Sequence, residues 1–101
     1  LDGAVAPLRI LPAVVDACRR TTVMIDSGVR RGTDVLKAFA LGARFVFVGR
    51  PFGYAAAVAG EPGVAHAIGL LASEVSRDLA MLGVTRVDAV SRDRHLRPAT
   101  R

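Results

Sequence analysis

The chain has 101 residues, 51% of them hydrophobic and only 5% aromatic, with a formal net charge of +5. The charge would suit an anionic partner, but no DNA- or RNA-binding motif is present, so we expect no nucleic-acid partner. Cys18 is the only cysteine, which excludes an internal disulfide, and no apolar run approaches the roughly 20 residues that span a bilayer.

The first predicted elements are a loop, a helix and a strand. Residues 1–6 predict the loop. Apolar residues then recur at helical spacing from Leu8 to Cys18, which predicts a helix with Pro12 in its first turn and Cys18 in the core. The β-branched run at residues 21–25 predicts a buried strand.

A second helix and a second strand follow. Residues 33–41 predict a short helix, which Gly42 ends as a left-handed residue. Residues 44–48 are apolar on both faces, as in a parallel strand that is covered by helices. About 20 residues separate the two strand ends, a spacing that is typical of βαβ units.

The last predicted helices lie on either side of a break. Residues 51–59 are alanine-rich and predict one helix, and residues 60–63 predict the break. The final helix carries an apolar stripe that we expect to be buried against the sheet or a neighbouring helix. The stripe consists of Val64, Ile68, Leu71, Val75, Leu79 and Leu82. Gly83 ends this helix, and residues 86–101 form a basic tail.

Each predicted strand leads into a loop that contains glycine and arginine. Free backbone N–H groups and a positive helix end suit a phosphate there, and Arg30 and Arg50 add guanidinium groups. Gly28 would let the backbone approach a ligand or take a positive φ. Asp26 would be repelled by a phosphate, so we expect it to accept hydrogen bonds from sugar-type hydroxyls. The alternatives are solvated arginines and an Asx turn at Asp26.

Other polar residues show no catalytic or metal-binding pattern. Ser27 lacks the first glycine of the G-x-S-x-G motif. His66 and His95 lack metal-ligand spacing, and His66 is expected at the surface. The sequence therefore predicts no catalytic residue and no metal site in this chain.

Three further charged residues are given no role in the site. Arg31 is expected to face solvent or to pair with an acid such as Asp34. Glu74 and Asp78, four residues apart on the final helix, are expected to form a solvated face.

The order of elements indicates an α/β fold. In (β/α)₈ barrels the loops after strands seven and eight often bind a phosphate. We therefore predict the C-terminal quarter of such a TIM barrel: the last two βα units and the preceding helix. A complete barrel needs about 250 residues, so we expect a fragment of a longer protein, in line with a first residue that is Leu1 rather than Met.

Three motifs resemble a known family. DSGVRRGTDV at 26–35, ALGA at 40–43 and VGRPF at 48–52 are similar to the C-terminal signature of FMN-dependent α-hydroxy acid oxidases and dehydrogenases. This family includes glycolate oxidase, L-lactate dehydrogenase and mandelate dehydrogenase. Residues 1–3, 61–64 and 81–83 also fit, so the resemblance covers the chain to about Val90. On this basis residues 1–101 are the C-terminal part of one barrel domain.

The resemblance implies a barrel that holds FMN at the carboxyl ends of its strands. A 2-hydroxy acid is oxidised to a 2-oxo acid, and its hydride passes to the flavin N5. Asp26 would bind a ribityl hydroxyl, and Ser27 stands where many members have glycine. The residues that would line the ribityl phosphate are Asp26, Ser27, Gly28, Val29, Arg30, Gly49 and Arg50.

The resemblance also implies what this chain lacks. The family's catalytic histidine and substrate-binding arginine lie in an N-H-G-G-R-Q type loop that would end just before Leu1, and the lysine near the flavin N1 is also upstream. The chain alone is therefore expected to be inactive, and its parent to be the enzyme. We expect a cytoplasmic homo-oligomer with a small 2-hydroxy acid as substrate. Peripheral attachment of the parent to the inner face of the membrane stays open.

Two other interpretations remain. One is another phosphate-binding barrel, resembling IMP dehydrogenase or the FMN-dependent isopentenyl-diphosphate isomerase, although the Arg30-Arg31 pair together with GRPF at 49–52 argues against it. The other is a non-catalytic interaction module. A sequence ending in H-G-G-R-Q directly upstream of Leu1 would favour the α-hydroxy acid family.

Overall fold

The computed structural model describes residues 3–97, in which helices cover one face of a two-stranded parallel sheet. The elements in chain order are α1 (Pro7–Ala17), β1 (Met24–Ile25), α2 (Gly32–Ala40), β2 (Phe45–Val46), α3 (Arg50–Leu82), a short 3₁₀ helix (Val87–Ala89) and α4 (Arg92–His95). The predicted order of helices and strands is confirmed.

The sheet is parallel, as predicted. Met24 pairs with Phe45 and Ile25 with Val46. Both strands are shorter than the predicted 21–25 and 44–48, but the pairing continues beyond them. Arg44 N donates to Val23 O and Phe47 N donates to Ile25 O, each at 2.9 Å.

The two faces of the sheet differ in burial. Ile25 points toward the helices and is 4% exposed, whereas Met24, Phe45 and Phe47 on the other face are about half exposed. The rings of Phe45 and Phe47 meet edge to face with their centroids 5.0 Å apart. Apolar side chains on both faces are typical of a parallel sheet that is covered on both sides in a larger fold.

The core lies between α1, α2 and the sheet. Its buried centre consists of Leu11, Ile25, Ala38 and Ala43. Because Ala38 and Ala43 have no exposed surface and short side chains, α2 lies close to the strands. Gly42 has a φ of +104°, which confirms the predicted left-handed residue after α2.

The first helix differs from its prediction in two respects. Pro7 lies in its first turn and Pro12 inside it, so the placement of Pro12 in the first turn is wrong. Cys18 is exposed, so its assignment to the core is also wrong. The helix ends at Ala17, and Cys18 follows it with a non-helical backbone (φ −102°, ψ 61°).

The third helix contains the predicted break. Ala59 and Gly60 have non-helical backbone angles, with a φ of +59° at Gly60. Pro62 and Gly63 are already helical, so the break is shorter than the predicted 60–63. Proline fits there because the first turn of a helix leaves N–H groups unpaired in any case.

The apolar stripe of α3 faces α2 and β2, but no residue of α3 is fully buried. Leu71, Val75 and Leu79 are half-buried, while Ile68 and Leu82 are 52% and 38% exposed. The prediction of a buried stripe is therefore wrong within this chain. The stripe is longer than the surface that α2 and β2 offer.

By length and apolar composition alone, α3 could cross a membrane, contrary to the expectation that no segment approaches this length. The helix is assigned as one element across the break, which joins two apolar segments into 33 residues. The later segment packs against α2 and carries Glu74, Arg77 and Asp78. These features are typical of a helix that covers a sheet.

The predicted basic tail is structured in its described part. Val90 is 6% exposed, and both the 3₁₀ helix and α4 contact α2. Arg86 pairs with Asp88 at 2.6 Å, and Ser91 N donates to His95 Nδ1 at 3.0 Å. The last four residues of the predicted tail lie outside the described residues, as do the first two residues of the predicted N-terminal loop.

Candidate functional site

The loops after β1 and β2 open into one cleft at the carboxyl end of the sheet. The cleft has a volume of about 190 Å³. Its lining consists of Asp26, Ser27, Gly28, Val29, Arg30, Phe47, Gly49, Arg50 and Pro51. All seven residues predicted as cofactor-binding are in this set. Sequence reasoning did not single out Phe47 and Pro51 as parts of the site.

The first loop turns sharply at two left-handed residues. Ser27 and Gly28 each have a φ of +84°. Gly28 was predicted to take a positive φ, but a side chain there is unusual, because a non-glycine residue in this region costs about 1–2 kcal/mol. Ser27 N donates to Asp26 Oδ1 at 2.7 Å. This backbone explains physically why glycine suits the position of Ser27.

The cleft contains donors that have no partner within residues 3–97. The backbone N–H groups of Gly28, Val29 and Gly49 donate no hydrogen bond there, and Arg30 and Arg50 form no ion pair in that range. Helix α3 begins at Arg50, so the N–H groups of its first turn add partial positive charge. This set of donors fits a phosphate group.

Arg31 turns away from the cleft and contacts α3. Its Nε lies 2.9 Å from Glu74 Oε1 and its Nη2 lies 2.8 Å from the same oxygen. Asp34 instead accepts the backbone N–H groups of Arg30 and Arg31, both at 3.1 Å. Arg31 thus pairs with an acid, but with Glu74 rather than the suggested Asp34. The assignment of Glu74 to a solvated face is wrong.

The same carboxylate holds the start of α2. Gly32 N donates to Glu74 Oε2 at 2.8 Å. A Cβ at Gly32 would lie 2.6 Å from Glu74 Cβ and 2.7 Å from the backbone of α3. Only glycine allows this approach, so α2 and α3 touch at Gly32.

The comparison with protein families identifies the chain. The family described as FMN-dependent dehydrogenase matches residues 1–98. The chain belongs to the FMN-dependent α-hydroxy acid oxidase and dehydrogenase family. The family is FMN-dependent, and the resemblance drawn from the sequence is confirmed.

Curated relatives are similar over nearly all of the chain. L-lactate oxidase of Nostoc sp. is 43% identical over 91 residues, which are 89% of this chain and 25% of the relative. 2-Hydroxyacid oxidase 1 of Homo sapiens is 43% identical over 93 residues, which are 91% of this chain and 25% of the relative. The chain thus spans about a quarter of the length of these members of the family.

Solved structures of the family share the fold. A soluble mutant of the membrane-associated (S)-mandelate dehydrogenase from Pseudomonas putida superposes with a TM-score of 0.87 at 41% identity, over 93% of this chain and 27% of that one. A flavocytochrome b2 mutant with pyruvate bound gives a TM-score of 0.85 at 40% identity, over 93% of this chain and 25% of that one. These proteins are TIM-barrel flavoenzymes, and the chain belongs to that fold.

Within this family member, the electrostatics at Glu74 follow from its contacts. The hydrogen bond from Arg31, followed by that from Gly32 N, holds the pKa of Glu74 below its ordinary value. The folded state therefore binds this proton less readily than the unfolded state. The ionised Glu74 carboxylate contributes its full stabilisation at pH values above the pKa that it has in the unfolded state. This contribution is lost as the pH falls through the lower pKa that it has in the folded state.

This shift predicts how acid affects stability. Glu74→Gln removes the titrating group, so the variant should lose less stability than the wild type when the pH falls from 7 to about 3.5, which is below the ordinary glutamate pKa of about 4.3. Urea denaturation of the intact apo-protein at both pH values measures the difference. Equal losses in the two proteins would show that Glu74 has the same pKa in the folded and unfolded states.

Sequence reasoning missed Glu74, Gly32 and the capping role of Asp34. A signal for Glu74 was present, because it lies three residues after Leu71 and directly before Val75. It therefore borders the apolar stripe and points toward α2. For Gly32 the sequence offered only a glycine at a helix start, which does not reveal a neighbouring helix.

Proposed function

We propose that this chain is the C-terminal quarter of an FMN-dependent enzyme that oxidises a 2-hydroxy acid to a 2-oxo acid. We also propose that the cleft between residues 26–31 and 47–51 binds the ribityl phosphate of FMN. The observation that carries the proposal is the meeting of two loops in one cleft, each with a glycine and an arginine free of ion pairs within residues 3–97.

Each residue has a role that follows from its chemistry. Arg30 and Arg50 bind phosphate oxygens through charge-assisted hydrogen bonds. The N–H groups of Gly28, Val29 and Gly49 complete the cradle. The phosphate repels the carboxylate of Asp26, whose Oδ2 is left for a ribityl hydroxyl while Oδ1 accepts Ser27 N.

This chain binds the cofactor and does not carry out the chemistry. FMN held by these residues would supply the acceptor for the hydride that the 2-hydroxy acid loses. The residues described above hold and orient the phosphate end of FMN. The catalytic histidine and the substrate-binding arginine belong to the upstream part of the parent, so the chain alone is inactive.

The proposed substrate, oligomeric state and cellular location are those of the full-length parent protein. The substrate is a small 2-hydroxy acid such as L-lactate, glycolate or mandelate, and the parent is a cytoplasmic homo-oligomer. Support for the substrate class comes from relatives named as lactate, 2-hydroxyacid and mandelate enzymes. Relatives differ in location, since one from Arabidopsis thaliana is named peroxisomal and a mandelate dehydrogenase is named a monotopic membrane protein.

The test uses the intact flavoprotein under anaerobic conditions. Addition of L-lactate, glycolate or mandelate should bleach the flavin absorbance and yield the matching 2-oxo acid, whereas 3-hydroxybutyrate should not. A protein that holds FMN but is reduced by no 2-hydroxy acid would contradict the activity. A protein that binds IMP and no flavin would support the alternative phosphate-binding barrel.

A further inference from the structure

We propose that Glu74 on α3 is a positioning residue for the phosphate-binding loop, defined here as residues 26–31. This inference rests on the proposed function, because it concerns how that loop presents Arg30 to the FMN phosphate. Glu74 does not line the cleft. It acts on the cofactor through Arg31 and Gly32.

The carboxylate of Glu74 fixes the end of the loop with bonds to two consecutive residues. Arg31 donates from Nε and Nη2, and Gly32 donates from its backbone N–H, all within 3.1 Å. The Glu74 side chain is only 23% exposed, whereas that of Arg31 is 71% exposed, so the carboxylate is the sheltered partner of the pair. The contact joins residues 43 positions apart in sequence, which ties the loop to the final helix.

The anchoring of Arg31 restrains the backbone of the neighbouring Arg30. Arg31 has an extended backbone (φ −130°, ψ 160°), and neighbouring side chains on extended backbone point in opposite directions. Glu74 holds Arg31 against α3, and this restrains the backbone that carries the neighbouring Arg30, which lines the cleft. Asp34 supports this arrangement from α2, because its carboxylate accepts the N–H groups of both arginines.

Pairing with Arg31 also keeps Glu74 from competing with the phosphate. Arg30 and Glu74 line a second cavity of about 180 Å³, which shares Arg30 and Pro51 with the cleft. Because Arg31 occupies the carboxylate of Glu74, the guanidinium of Arg30 remains available to the cofactor. The Arg31–Glu74 pair therefore helps to position Arg30 and also leaves its guanidinium available to the phosphate.

The experiment compares FMN with riboflavin, which lacks the phosphate. Dissociation constants for both flavins are measured by fluorescence titration of the intact apo-protein in the wild type, Glu74→Gln and Glu61→Gln. Glu74→Gln should weaken FMN binding roughly three- to tenfold and change riboflavin binding by less than about twofold. Glu61→Gln makes the same chemical change at an exposed position of α3 and should alter neither constant.

A second variant keeps the test valid if Glu74→Gln folds poorly. Arg31→Gln leaves Glu74 its bond from Gly32 and should give the same selective loss of FMN affinity. Equal weakening of FMN and riboflavin, or unchanged FMN binding, in both variants would overturn the positioning role. A wild type that binds the two flavins equally would instead overturn the phosphate cleft itself, and the inference with it.

Discussion

Replacing Arg30 with alanine in the intact flavoprotein should lower FMN affinity roughly ten- to a hundredfold, because a hydrogen bond to a charged group contributes about 1.5–3 kcal/mol. Arg50→Ala should have a similar effect, since both side chains line the same cleft. If both bind one phosphate, the double variant should lose less than the sum of the two single losses, because the residues share a partner.

The same variants separate cofactor binding from chemistry. With saturating FMN, the rate of flavin reduction by substrate should recover in Arg30→Ala, because this residue acts on the phosphate end of the cofactor. The measurements are a flavin titration of the apo-protein and stopped-flow reduction. Arg9→Ala removes the same charge from an exposed position of α1 and is the matched control. Unchanged FMN affinity with a collapsed reduction rate would place Arg30 in the substrate site.

Gly32→Ala should be among the most damaging single changes in the chain. The added methyl group would meet Glu74 Cβ at 2.6 Å and Val75 N at 2.7 Å, and backbone atoms cannot rotate away. We expect a loss of about 1–3 kcal/mol in the free energy of unfolding, toward the upper end, as for other overpacked sites. FMN affinity should fall as well, because separation of α2 from α3 breaks the bond from Gly32 N to Glu74.

Gly69→Ala is the control for that variant. Gly69 also lies in α3, but apart from its own neighbouring turns of helix no described atom is within 4 Å of the position of an added Cβ. Because alanine favours a helix over glycine, this change should stabilise the protein by about 0.5–1 kcal/mol. Urea denaturation measures both variants. Gly32→Ala with the stability of the wild type would show that the two helices do not touch at this residue.

The local parts of the fold and site could be predicted from the sequence. The apolar runs that lead into β1 and β2, and the glycines and arginines directly after them, lie within a few residues of one another. Their placement at one sheet edge follows from parallel pairing alone. The two loops that line the cleft could therefore be assigned without knowledge of the rest of the chain.

The residues whose environment was predicted wrongly are those that depend on contacts between distant segments or on where an element ends. The pair formed by Arg31 and Glu74 joins the loop before α2 to α3, and no local pattern distinguishes it from solvated charges. Cys18 fits the helical stripe in sequence but follows the last residue of α1, where the chain turns. The stripe of α3 was recognised from its spacing, but no residue of it is fully buried among residues 3–97, and spacing alone does not show how much of a stripe its neighbours cover.

The most direct test of the central claim is a crystal structure of the intact flavoprotein with FMN bound. The account predicts that phosphate oxygens lie about 2.7–2.9 Å from guanidinium nitrogens of both Arg30 and Arg50, with the N–H groups of Gly28 and Gly49 facing the same phosphate. An FMN phosphate bound elsewhere, with Arg30 and Arg50 both directed into solvent, would contradict it.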